Sequence, residues 1–505
     1  MRQTRQSIMS LQLYDTLTGQ KAPFSPADPD HARIYVCGPT VYDYAHLGHA
    51  RCYIVYDVLT RHLRASGLRV TYVRNVTDID DKIIKRAAER GEQPDELAAR
   101  FTDAFAEDMA RLGNATPDVE PRVSGHLPHI IALVQRLIAS GNAYEVDGDV
   151  YFSVESFEGY GKLSHRDLSA HESGASGRTD AEQMARKRHP ADFALWKSAE
   201  RSEVGWDSPF GWGRPGWHIE CSAMSMEHLG ETLDLHGGGL DLVFPHHENE
   251  LAQSEAATQK PFSRCWMHNG FVEVNKEKMG KSLGNFFTAR ELFRHIEPEA
   301  IRMFSMTVHY RAPLGFDVED EGGPAGPRFP GLEEAERRLE YLYKTRQRLA
   351  ELPEARVVPG GQAPDALVGF PAALARALDD DLNMPVALAA LSELLSAVNE
   401  LCDGALRKKG SAPQAAVDAA LAGFEALRTH LGLGFQEPRE VLERVRDRRA
   451  QARGVSREWV EQCIVDRATA RANKDFEAAD KIRVGLTEAG VELLDSPAGT
   501  TWQIV

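Results

Sequence analysis

The order of apolar and polar positions divides this chain into segments of different period. Arg33-Ile-Tyr-Val-Cys37 is a short β-branched and aromatic run that stops at Gly38-Pro39, which predicts a strand ending in a loop. From about Ala45 to Leu63 apolar residues recur at helical spacing, and Gly67 ends the pattern. Arg69-Val-Thr-Tyr-Val73 then predicts a second strand. Strand, loop, helix, strand is a βαβ crossover, and such a crossover joins parallel strands.

The pattern changes between about Pro121 and Pro215. Ile130, Ile131, Leu133, Val134, Leu137 and Ile138 share one helix face, and short strands and a polar Gly/Ser-rich loop, Ser169 to Arg178, follow. This region reads as an insertion, with the parallel pattern resuming near Trp217. Glu319 to Pro327 is a breaker-rich linker. Two helical stretches come next, roughly 331–351 and 365–432; in the second, Leu388, Leu391, Leu394, Leu395, Val398 and Leu401 form a stripe that predicts core packing. The last fifty residues predict a helix through Phe476–Asp480 and strands at Val491–Leu494 and Thr501–Val505. The expected architecture is α/β: a Rossmann-like parallel-sheet core (1–120 and 216–320) split by an insertion (121–215), then a helical bundle (331–440) and a small mixed C-terminal unit (455–505).

Composition narrows the class. At 505 residues the chain exceeds one core, and length alone suggests about three or four domains. Its 42% hydrophobic and 27% charged residues are those of an ordinary globular protein. No stretch reaches the roughly 20 apolar residues of a membrane span, and the start lacks the apolar region of a secretory signal. The expected compartment is the cytoplasm, with no membrane partner. Six scattered cysteines do not form a disulfide framework, and Cys52, Cys265, Cys402 and Cys463 read as small buried hydrophobes. A net charge of -16 excludes a general nucleic-acid coat but leaves room for a local basic face. Six arginines from Arg444 to Arg457 against Asp447 are a candidate, read equally well as a solvated helix or an RNA contact.

Three groups of residues carry chemistry. His46-Leu-Gly-His49 starts the first crossover helix, where free N–H groups and the helix dipole favour phosphate; two imidazoles can donate there, and Gly48 leaves room for a flat adenine. Lys278-Met-Gly-Lys-Ser282 brings Lys278 and Lys281 to a loop, as point charges for developing phosphate charge. Cys37, Cys221, His246 and Glu250 are four donors suited to Zn2+, the last two at a spacing that shares a helix face. His247 and Glu248 compete with them on sequence grounds.

The histidine and lysine motifs, in this order, resemble the paired signatures of class I aminoacyl-tRNA synthetases, with Leu47 and Gly280 as departures. Gly280 keeps both lysines and loosens the loop. Longer blocks resemble the cysteinyl-tRNA synthetases: Tyr35-Val-Cys-Gly38, Gly213-Arg-Pro-Gly-Trp-His-Ile-Glu-Cys-Ser-Ala-Met224, Gly237 to Glu250 and Trp266-Met-His-Asn-Gly270. The resemblance runs over nearly the whole chain. It implies ATP-dependent activation of L-cysteine and transfer to tRNA(Cys), by a monomer holding one zinc ion, with Mg2+ accompanying ATP. It selects Cys37, Cys221, His246 and Glu250 as zinc ligands. It also implies that Trp217 lies against the substrate side chain, that Thr77 and His236 line the amino-acid pocket, and that Gly239 and Asp241 hold the ATP ribose. A cysteine:amino-sugar ligase of the mycothiol type and a catalytically silent RNA-binding paralogue are the rival readings; the intact motifs and the C-terminal unit ending in Gly499-Thr-Thr-Trp502 speak against both.

Overall fold

The computed structural model describes residues 11–166, 185–280, 285–319, 327–496 and 499–504. The strands of its central sheet are β1 (His31–Val36), β2 (Arg69–Arg74), β3 (Leu235–Gly239) and β4 (Trp266–Asn269). They lie in the order β4-β3-β1-β2, all parallel, with Tyr35 opposite both Val73 and His236 and His236 opposite Trp266. Ala32, Ile34, Tyr35 and Val36 are all buried, as expected of a strand covered on both faces. The chain leaves β1 toward β2 on one side and returns as β3 on the other. That reversal opens a crevice beyond the carboxyl ends of β1 and β3, where α/β sheets bind ligands.

Three helices place the site: α1 (Leu47–Ala65), α2 (Trp217–Leu229) and α3 (Glu248–Thr258). Fourteen of the nineteen residues of α1 are buried, so it is clasped on several sides rather than laid on a surface. Arg302 and Asp57 form a fully buried ion pair between α1 and the helix Pro298–Ser305, and Arg302 Nε also donates to the Leu431 carbonyl at 2.7 Å. A buried charge needs this kind of pairing.

The insertion contains the helix Leu127–Ala139 and an antiparallel sheet of four strands, Ala143–Val146, Asp149–Phe152, Phe193–Ser198 and Gly213–Pro215. Its core of Ile130, Val134, Val150, Phe152 and Trp196 is shared with Ile219 and Met224 of α2 and Ala252 of α3. The Gly/Ser-rich loop 169–178 lies outside the described residues.

The stretch expected as helix over 365–432 is three helices, Asp365–Asp379, Met384–Leu406 and Gln414–Leu431. The first break is local chemistry: Asp381 and Leu382 take positive φ (58° and 48°), Asn383 caps the next helix, and Pro385 sits in its first turn. Met384–Leu406 is long and apolar enough to cross a membrane, but its stripe of Leu391, Leu394, Leu395 and Val398 is buried in the bundle.

The C-terminal unit has the helices Arg457–Ala472 and Phe476–Glu488 and the hairpin Val491–Ser496/Gly499–Ile504, around Val460, Leu486, Val491 and Trp502. The arginine run is met inside the chain. Arg444 pairs with Glu297 at 2.8 Å, Arg449 with Glu336 at 2.9 Å and Glu340 at 2.7 Å, and Arg457 with Glu461 at 2.6 Å. Arg448 also pairs with Glu336, and Arg446 lies over the Trp502 ring. Beyond the two sequence readings, a solvated helix and an RNA contact, the run has an intramolecular role: it latches the helix Pro438–Ala452 to its neighbours.

Candidate active site and metal centre

The site is a cleft of about 320 Å3 at the carboxyl ends of β1, β3 and β4, lined by Cys37, His46, His49, Trp217, Asp241 and Lys278 among others. Its phosphate end is built from the start of α1. His46 is the N-cap: its Nδ1 accepts the His49 N–H at 3.2 Å, while His49 Nδ1 accepts the His46 N–H at 3.4 Å. With both Nδ1 atoms accepting, each neutral ring carries its proton on Nε2, the atom that donates. The rings stack with centroids 3.7 Å apart. A Cβ at Gly48 would stand 2.9 Å from the His46 ring and 3.4 Å from Met279, so glycine is required by the capping geometry itself. A Cβ at Gly239 would meet the Asp241 carboxylate at 2.5 Å, so that glycine lets Asp241 fold back into the cleft.

Lys278 ends a hairpin, pairing with Glu273, and its ammonium lies 4.1 Å from the Phe271 ring centroid. Gly280 N–H donates to Asn285 Oδ1 at 2.9 Å, and Asn285 Nδ2 donates to the Lys278 carbonyl at 3.3 Å. Asn285 thus ties the two ends of the loop together. Lys281 lies outside the described residues.

At the opposite end four donors meet. Cys37 leaves β1, Cys221 lies on α2, His246 lies in a wide turn before α3, and Glu250 is in the first turn of α3. Their ligand atoms lie within 4.8 Å of one another, and all four residues are buried. Cys37 Sγ is 3.5 Å from His246 Nε2 and 3.3 Å from Glu250 Oε1, and the latter two atoms are 3.0 Å apart. Zinc with bonds of about 2.0–2.3 Å needs ligand atoms separated by roughly 3.3–3.8 Å in a tetrahedron. The two Cys37 separations fall in that range and the His246–Glu250 pair is about 0.3 Å short of it, so two thiols, an imidazole and a carboxylate stand close to the spacing such an ion takes.

The electrostatics point the same way. A hydrogen bond with Cys37 pulls the Cys221 thiol down to about 6, whereas burial, with Cys221 and Glu250 nearby, pushes Cys37 up. Burial opposes charge on Glu250 and His246, yet His236 and His246 hold Glu250 well below the usual carboxylate range, and Glu250 with Cys221 lifts His246 to about 9. The cluster gathers negative charge in a dry place, which is what a divalent cation answers.

The competing residues separate unequally. Glu248 is occupied elsewhere: its carboxylate accepts the N–H groups of Gly161 (2.9 Å) and Ser164 (2.7 Å) from the insertion. His247 stays a geometric alternative, since Cys37, His236, His247 and Glu250 also lie within 4.8 Å of one another. His247 Nδ1 is 2.7 Å from His268 Nε2, whereas His246 stacks on Trp217 (4.0 Å) and has His218 2.9 Å from its Nδ1.

Trp217 reaches the cleft wall. Thr77 and His236 do not line it, and neither do Cys221, His246 and Glu250: Thr77 is 1% and His236 0% exposed. Thr77 accepts from Asn75 Nδ2 at 3.2 Å, and His236 Nε2 is 2.9 Å from Glu250 Oε2. Both therefore stand behind the cluster. Sequence reasoning passed over Asn75, whose Oδ1 accepts the Gly38 N–H at 2.8 Å and faces Cys221 at 3.8 Å; its only signal was a polar residue directly after a buried strand. It also passed over Arg51, and Cys52, which lines the cleft rather than only filling the core.

Known proteins are similar to this chain over most of its length. Residues 23–321 match the family of tRNA synthetases class I (C) catalytic domains, and residues 373–436 match the DALR domain. The cysteine–tRNA ligase of Anaeromyxobacter dehalogenans (strain 2CP-C) is 51% identical over 502 residues, covering 98% of this chain and 100% of that protein. The cysteine–tRNA ligase of Syntrophotalea carbinolica is 48% identical over 495 residues, with the same coverage. Mycobacterium tuberculosis methionyl-tRNA synthetase, solved with methionyl-adenylate, shares the fold at a TM-score of 0.58 and 15% identity, over 82% of this chain and 93% of that one.

Proposed function

The chain belongs to the class I cysteine–tRNA ligases, and on that premise we propose that it selects cysteine with a zinc ion held by Cys37, Cys221, His246 and Glu250. It activates L-cysteine with ATP and charges tRNA. The observation that carries the selection is the convergence of two thiols, an imidazole and a carboxylate directly behind the wall of the cleft that holds His46, His49 and Lys278, with Cys37 belonging to both.

Cysteine and serine differ by one atom. A shaped pocket separates such near-isosteres by only about 10–200-fold, where translation needs about 10⁴–10⁵. A zinc ion bound there supplies a soft Lewis acid that favours sulfur over the harder hydroxyl oxygen. Trp217 stacks on His246 and stands on the cleft wall, where it would meet the substrate side chain. Buried His236 and Asn75 hold Glu250 and the Gly38 backbone in place.

In the first step the substrate carboxylate attacks the ATP α-phosphorus and pyrophosphate leaves. His46 and His49 donate from Nε2, and Lys278 offsets phosphate charge from across the cleft, with Lys281 in the same motif. Gly239 and Asp241 hold the ribose, and Mg2+ accompanies ATP. In the second step the terminal ribose hydroxyl of tRNA(Cys) attacks the adenylate carbonyl and AMP leaves. Residues 455–505 meet the anticodon, and the enzyme works as a monomer in the cytoplasm. Metal analysis with charging of purified tRNA tests this reading: one zinc per chain and cysteine charging are expected, and full charging by metal-free protein overturns it.

A further inference from the structure

Arg51 is fully buried, two residues beyond His49 on α1, and among the described residues no carboxylate meets it. Its guanidinium instead faces a fan of backbone carbonyls. Nη1 donates to Gly270 (2.9 Å) and Phe271; Nη2 donates to Tyr310 (3.1 Å) and Ala312. Burial lowers its pKa to about 10, so the group stays charged at neutral pH. A planar fork can hold two backbone segments by two carbonyls each in one fixed geometry; a lysine ammonium has only three donors and no such fork.

These two segments feed neighbouring strands. Gly270–Phe271 leads into Val272–Val274, and Tyr310–Ala312 leads toward Leu314–Phe316, which pairs with it in parallel, Val272 opposite Leu314. The first of these strands carries the Lys278 hairpin: Glu273 is opposite Lys278, and Met279 N–H donates to the Val272 carbonyl at 3.1 Å. The side chain has a second reference point, because the Lys278 ammonium rests on the ring of Phe271, whose carbonyl Arg51 holds. Gly270 permits the approach, since a Cβ there would stand 2.6 Å from the Ala312 oxygen.

We propose that Arg51, acting through Phe271, is a positioning residue that registers Lys278 on the helix bearing His46 and His49. The two signature motifs are distant in sequence, and this buried fork ties one to the other. The inference rests on the reading of Lys278 as a phosphate-contacting group.

A double-mutant cycle on adenylate formation tests it, with Arg51→Lys, Lys278→Ala and the double variant as zinc-loaded full-length protein. Arg51→Lys should lower kcat by about 10²-fold, as a roughly 1 Å misplacement does, and leave KM for cysteine and zinc content unchanged. In the Lys278→Ala background the same change should cost little more, because the group it positions is gone. Additive losses would overturn the inference while leaving Lys278's role intact; an unimpaired Lys278→Ala enzyme overturns that role, and the inference with it. Should Arg51→Lys fail to fold, Phe271→Leu replaces it: a loss of about two- to fivefold is expected, the size of an exposed cation–π contact, and it too should vanish in the Lys278→Ala background. A Phe271→Leu loss that persists there counts against the proposal.

Discussion

The two ends of the cleft are built by different rules. The phosphate end joins two pieces that are each locally built: a helix N-terminus capped by its own histidines, and a two-strand hairpin with a lysine at its edge. The thiol end is assembled from far apart, with Cys37 on one side of the insertion, Cys221 and Glu250 on the other, and every donor buried. Local pieces can stay open and adjust to ATP. A buried cluster of distant donors is fixed only by the whole fold, and a rigid arrangement is what discrimination between two nearly identical substrates needs.

Breaking the thiol end should have the largest effect. Cys221→Ser should lose bound zinc and lower cysteine activation by up to about 10⁴-fold, the gap between a shaped pocket and what translation requires, while circular dichroism stays native. Retention of metal and activity would erase the contrast between the ends. At the phosphate end, Lys278→Ala should reduce adenylate formation by about 10²–10³-fold, as removal of one charge-stabilising donor does, with zinc content untouched.

The next comparison sharpens the ligand assignment. Glu250→Gln should abolish metal binding, whereas Glu248→Gln should keep the metal and cost about 1.5–3 kcal/mol of stability in chemical denaturation, because Glu248 holds backbone N–H groups of the insertion. The opposite pattern would assign the metal to Glu248. The smallest effect lies at the far end of α1, where His62 faces His430 at 3.0 Å and Asp379 at 2.9 Å. Burial lowers the pKa of both histidines, His430 to about 4. The unfolded chain then binds protons more readily below about pH 6.5, so stability should fall between pH 7 and 5. His430→Gln should remove part of that fall, less than about 1 kcal/mol after solvent screening, with both ends of the cleft unaffected.

The same contrast explains what could be read from the chain alone. The crossover unit, the split α/β core and the histidine and lysine motifs were legible because each is a contiguous pattern with its own period or cap. The break at Asp381–Leu382 was not, since helical periodicity continues across it and only the cap chemistry of Asn383-Met-Pro385 marks it. Glu248 and Glu250 are chemically identical in sequence; they part only when the insertion brings the Gly161 and Ser164 amides to one of them. Arg51 had no signal, because its partners are carbonyls, which every residue has. The latching role of the arginine run was hidden for a different reason: its partners Glu297, Glu336 and Glu340 lie more than a hundred residues away.

Zinc-dependent discrimination can be measured in a single protein preparation. Cysteine and serine are compared as substrates for pyrophosphate exchange by the same enzyme, zinc-loaded and after chelation. The account predicts a preference for cysteine of about 10⁴ or more with zinc, collapsing on chelation to at most the roughly 10–200-fold of a shaped pocket, through loss of cysteine activation rather than gain of serine. An unchanged preference in the metal-free enzyme would contradict it.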